Sequence, residues 1–152
     1  MDYLLSTKKD YKQKPELVLI NPPFNVHKDV QPKTFEYFEN NNWTRRPFLP
    51  EVFLSKTVEL FGKDTPIVLF TPYGMRYNLT LESRRLKRFD DGEYPEINSI
   101  ITLPKNVYNF DKKNIELSDS KKGVFFHSEI LLFNIQGLKP HYFLPKELVK
   151  KT

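Results

Sequence analysis

Leu17-Val18-Leu19-Ile20-Asn21-Pro22-Pro23-Phe24 is the stretch on which the reading of this chain turns. Four apolar residues in succession, β-branched at Val18 and Ile20, suit a short strand buried on both faces of a parallel sheet. Asn21 and two prolines then end it sharply, because proline has no N–H to give to a ladder.

Upstream, residues 1–15 are polar and lysine-rich and read as an N-terminal arm, leaving residues 16–152 as one domain. Downstream, residues 25–46 form a polar loop with a helical turn near 34–38. Residues 49–61 predict a helix, with Pro50 and Glu51 in its first turn and Gly62 just past its end. Its apolar positions run most of the way round, so it should be clamped against a sheet.

A second buried strand covers 65–70 and closes at Thr71-Pro72-Tyr73-Gly74. A short basic helix over 81–89 carries Arg84, Arg85, Lys87 and Arg88, read as a solvated face. Strands follow at 97–103 and 124–135, and 137–145 adds a short extension. The order strand, helix, strand, helix, strand, strand indicates an α/β layered sheet of about four strands. The last two lack a helix between them and should pair antiparallel.

The chain has 152 residues, 39% hydrophobic and 28% charged, which fits one modest domain. The absence of cysteine excludes disulfides, thiolate metal sites and a cysteine nucleophile. Histidines occur only at 27, 127 and 141, too scattered for a zinc cluster, so no metal is expected. The apolar runs are strand-sized and the N-terminus lacks a signal-peptide core, so no membrane partner and a cytoplasmic location are expected. Lys and Arg number 24 against 19 Asp and Glu, a net +5 that favours a polyanionic partner. The charge alone does not choose between DNA and RNA.

Asn21-Pro22-Pro23-Phe24, directly after a buried strand, resembles the catalytic tetrapeptide of amino-group methyltransferases, above all the N6-adenine DNA methyltransferases. The likeness continues through Pro66 to Gly74, through Ile100-Ile101-Thr102-Leu103-Pro104, and through the returning strand His127-Ser128-Glu129-Ile130-Leu131-Leu132-Phe133. It is closest in flavour to type I restriction-modification subunits and covers most of the chain. The resemblance implies a Rossmann-like sheet whose last strand is antiparallel, S-adenosylmethionine as methyl donor, and DNA methylation. It also implies an aromatic near the start of the returning strand that packs on the target base, for which Phe126 and His127 are the candidates. Tyr73 could line the same crevice, and Arg45 and Arg46 beside Trp43 lie in the loop where the family contacts nucleic acid.

The residue types suit the chemistry on their own terms. The amine of adenine is a poor nucleophile because its lone pair is delocalised into the ring. A site that accepts both amine hydrogens frees that pair. Asn21 offers a side-chain oxygen and Pro22 a carbonyl without a ladder partner. Phe24 offers a flat face for an extruded base. Taken alone, an Asn-Pro turn capping a strand accounts for the same tetrapeptide.

The cofactor half of such an enzyme needs a glycine-rich turn after an early strand and an acidic residue ending the next. The five glycines here are widely separated, and only residues 1–15 precede the Asn21 strand. Three outcomes fit: a split enzyme whose partner chain supplies the cofactor half, a non-catalytic remnant binding nucleic acid or protein, or a truncated catalytic domain. In each, the strand before Asn21 becomes a sheet edge and invites a second copy or a partner chain.

Overall fold

In the computed structural model, residues 2–23, 30–76, 84–104 and 128–144 are described, Tyr73 by its backbone alone. They form a five-stranded mixed sheet flanked by helices, one strand more than the sequence predicts. The strands are β1 (Val18–Ile20), β2 (Ile67–Pro72), β3 (Ile97–Thr102), β4 (Ser128–Phe133) and β5 (His141–Phe143). The helices are α1 (Asp2–Leu5), α2 (Pro32–Asn40), α3 (Leu49–Phe61) and α4 (Arg84–Asp90). The extra strand, β5, is the 137–145 extension: it pairs parallel with β3 at the outer edge.

Across the sheet the order is β1-β2-β4-β3-β5. β1 and β2 are parallel, as a strand–helix–strand crossover through α3 requires. β4 returns between β2 and β3 and runs antiparallel to both, so the expected antiparallel pairing of the last two long strands is present. β1 stands at the opposite edge from β5 and pairs with β2 alone.

The register separates two faces. Ile20, Ile67, Leu69, Leu131 and Phe133 lie on one, packed with Leu54 of α3, Met75 and Tyr94. Leu19, Val68, Phe70, Ile130 and Leu132 lie on the other, because side chains alternate along a strand. Leu19 is 72% exposed. This corrects the reading of β1 as buried on both faces: it is an edge strand, and the described helices pack on the Ile20 face.

Helix α3 is apolar nearly all round because it is the middle layer. Leu54 meets the sheet, whereas Leu49 and Val52 join Leu4 of α1 and Phe38 of α2 in a second cluster. The N-terminal arm is therefore packed. Leu4 is fully buried, Tyr3 stacks on Phe53 and shares a hydrogen bond with Thr57 Oγ1, and Tyr11 meets Phe61 edge-on. The predicted turn near 34–38 is a full helix, α2, started by Pro32 at its first position. None of the described helices is long and apolar enough to cross a membrane.

Candidate functional site

The Asn-Pro-Pro corner follows β1 at the carboxyl end of the parallel strands, where open α/β sheets form their ligand crevices. The chain has no regular secondary structure there. Exposure alternates through the corner: Ile20 and Pro22 are buried, and Leu19, Asn21 and Pro23 are exposed. Asn21 and Pro23 thus continue the Leu19 face. Extending the β1–β2 register by one residue sets Asn21 beside Phe70 and, beyond it, Ile130.

Among the described residues, none hydrogen-bonds to the Asn21 side chain, and the Pro22 carbonyl has no backbone partner. Two acceptors at the strand end are thus without a partner among the described residues. The pattern has a simple origin, since two consecutive prolines remove both N–H groups that would otherwise extend the ladder.

At the same end of the sheet, Ser128 pairs with Pro72. By the alternation of β4 its side chain shares the face of Ile130 and Leu132. Ser128 is 1% exposed, and its Oγ is the one buried side-chain polar atom among the described residues without a hydrogen-bond partner. The next residue, Glu129, turns to the opposite face and is held by Arg76, whose Nε and Nη2 donate to its two oxygens at 2.5 and 3.0 Å. Sequence reasoning does not single out Ser128: Ser128-Glu129 reads as the polar start of an apolar strand, and the missing partner of the hydroxyl is visible only in the fold.

Glu51, by sequence only a first-turn acidic residue of α3, organises the helix layer. Its buried carboxylate accepts from Arg85 Nε at 3.3 Å, from Arg88 Nη1, and from the Tyr94 hydroxyl at 2.6 Å. Arg85 also donates to the Gly74 carbonyl and lies over the Phe48 ring, and Arg88 lies over Trp43. Burial, and then the adjacent Glu51 carboxylate, push the Tyr94 hydroxyl pKa well up. The basic helix is thus corrected: Arg84 and Lys87 are exposed, but Arg85 and Arg88 are pinned to Glu51. The i, i+3 spacing of Arg85 and Arg88 puts them on one face and is the cue that was available.

Arg45 and Arg46 are exposed on the connection between α2 and α3, and Arg45 lies 5.2 Å from the Phe35 ring centre. Tyr73 falls in a short 3₁₀ turn after β2. Phe24, Phe126 and His127 lie outside the described residues. A groove of about 440 Å³ runs between Trp43, Ser55, Glu59, Arg88 and Tyr94, and none of the corner residues lines it. No group of metal-ligating side chains occurs among the described residues.

The described glycines stand singly: Gly62 caps α3, Gly74 follows β2, Gly92 follows α4 and Gly137 precedes β5. The described residues form no glycine-rich turn after a strand of the kind a dinucleotide or S-adenosylmethionine site uses. They do not fit that cofactor by themselves. No protein-family model and no curated protein matches the chain.

Proposed function

We propose that this chain is the target-base half of an adenine-N6 DNA methyltransferase of the Rossmann-like class, working only when a second polypeptide supplies the S-adenosylmethionine half. The observation that carries the reading is the corner itself. The edge strand β1 runs into Asn21-Pro22, whose side-chain oxygen and main-chain carbonyl have no partner among the described residues at the carboxyl end of the sheet. Those acceptors suit the two hydrogens of one exocyclic amine. The strand β4, antiparallel between β2 and β3, supports the same lineage.

In this reading Asn21 and the Pro22 carbonyl bind the amine, and Phe24, with Phe126 or His127, stacks on the ring. Arg45 and Arg46 meet phosphates. The partner pairs along the free edge of β1, next to which Leu17 and Leu19 are exposed. A second copy of the chain at that edge would give a homo-oligomer instead.

The test mixes the purified chain with a glycine-rich methyltransferase half and follows methyl incorporation into adenine of DNA and of RNA. Transfer that disappears in Asn21→Ala, with duplex binding kept, supports the reading. Transfer that survives in Asn21→Ala overturns the role of Asn21. Nucleic-acid or protein binding with no transfer under any pairing favours the non-catalytic remnant.

A further inference from the structure

We propose that Ser128 is a specificity-determining contact of the same base site, its hydroxyl donating to a ring nitrogen beside the bound amine. The inference rests on the reading of Asn21 as the amine acceptor and adds a residue to it.

An uncompensated buried hydroxyl is costly, and native interiors hold few of them. Ser128 Oγ is one: the residue opens β4, and its hydroxyl is buried and without a partner among the described residues. It also stands in the right row. On the Leu19 face, the carboxyl end of the sheet runs from Asn21 and Pro23 through Phe70 and Pro72 to Ser128. Exposure falls along that row, from open at Asn21 and Pro23, through intermediate at Phe70 and Pro72, to closed at Ser128. A flat ligand entering from β1 has Ser128 at its far end.

The span also suits one base. Asn21 and Ser128 stand two strands apart and two residues out of register, so their backbones lie roughly 12 Å apart at about 4.8 Å per strand and about 3.3 Å per residue. Two side chains reaching inward, each with one hydrogen bond of about 2.9 Å, leave room for a single purine or pyrimidine ring edge between them. The chemistry is complementary. With both amine hydrogens taken by Asn21 and Pro22, the remaining polar group on that edge is a ring nitrogen, an acceptor. A serine hydroxyl can donate to it. Replacing that nitrogen by carbon leaves the hydroxyl with nothing to bind, so the contact favours amine-bearing bases with a ring nitrogen beside the amine.

The experiment measures affinity of the full chain for single-stranded oligonucleotides carrying adenine, 1-deazaadenine, 7-deazaadenine, or the purine ring without its amine. Wild type is expected to prefer adenine over the amine-free ring and to lose about fivefold to tenfold with one of the two deaza analogues, the value of one hydrogen bond. Ser128→Ala should bind adenine more weakly by a similar factor and no longer distinguish that analogue, while still preferring adenine over the amine-free ring. Its melting temperature should equal or exceed that of wild type, since the removed hydroxyl has no partner in the free protein.

Retained analogue discrimination in Ser128→Ala, or a marked fall in its melting temperature, overturns the proposal while leaving Asn21 in place. A wild type blind to the amine removes the Asn21 reading, and the Ser128 contact with it.

Discussion

Leu19 and Ile20 are consecutive in β1 and point to opposite faces of the sheet, leaving Leu19 72% exposed and Ile20 6% exposed. That difference separates the face covered by the described helices from the face on which the base site is proposed, at the edge strand where a partner would pair. The N-terminal arm packs against α2 and α3, and it leaves Leu19 open.

Leu19→Lys tests the edge. A lysine on an exposed edge strand opposes pairing with another chain at little cost to the fold. In sedimentation, wild type is expected above monomer mass, or bound to its partner half, and Leu19→Lys as a monomer with unchanged circular dichroism. A wild type that stays monomeric at every concentration and binds no partner half argues against the edge interface.

Glu51→Gln should be among the most destabilising single changes. It leaves Arg85 and Arg88 partly buried without the carboxylate that neutralises them, and it weakens the acceptor of the Tyr94 hydroxyl. Removing one partner of a buried ion pair costs about 3 kcal/mol or more. Urea unfolding should register a loss of that size, and a change under about 1 kcal/mol would mean that the cluster is weakly coupled to folding.

Alkaline pH should destabilise the protein through Tyr94 and Tyr37. Burial raises both hydroxyl pKa values, that of Tyr37 to about 12, with the charges of Glu51 and Glu59 adding to the respective shifts. Above about pH 10 the unfolded chain releases these protons while the folded chain keeps them. The folded state then binds more protons, so stability falls as pH rises. The contribution is complete below about pH 10 and is lost as pH climbs through the folded values. Tyr94→Phe should flatten that slope, read from urea midpoints at about pH 8 and about pH 11.

Much of the fold is legible in the residues. The strands around Ile20, Leu69, Ile100 and Leu131, and the helix from Leu49 to Phe61, announce themselves by apolar runs and by proline and glycine stops. What local pattern does not carry is the layer to which each face belongs. Leu19 reads as buried because its neighbours are apolar, yet its exposure depends on what covers that face of an edge strand. The all-round apolar character of α3 pointed only to a sheet, and the second layer, built by Leu4 and Phe38, comes from distant segments. Arg85 and Arg88 read as solvated because their counter-ion, Glu51, lies far back in the sequence. At the candidate site, the corner of Asn21 and Pro22 was legible because proline chemistry is local. Ser128 was not, because an orphan hydroxyl is a property of its surroundings.

Leu4→Ala tests whether the arm is part of the domain. The side chain is fully buried against Phe38, Leu49 and Val52. A leucine-to-alanine change in such a site costs about 2–5 kcal/mol. Hydrogen exchange should also rise across α2. A loss below about 1 kcal/mol would make the arm an appendage.

The central claim is that Asn21 receives a nucleobase amine, and the direct measurement is the affinity difference between adenine and the amine-free purine ring in otherwise identical single strands. The account predicts that wild type favours adenine by about fivefold or more and that Asn21→Ala binds the two equally, with general strand affinity retained. Equal affinity in wild type, or a preference undiminished in Asn21→Ala, would contradict it.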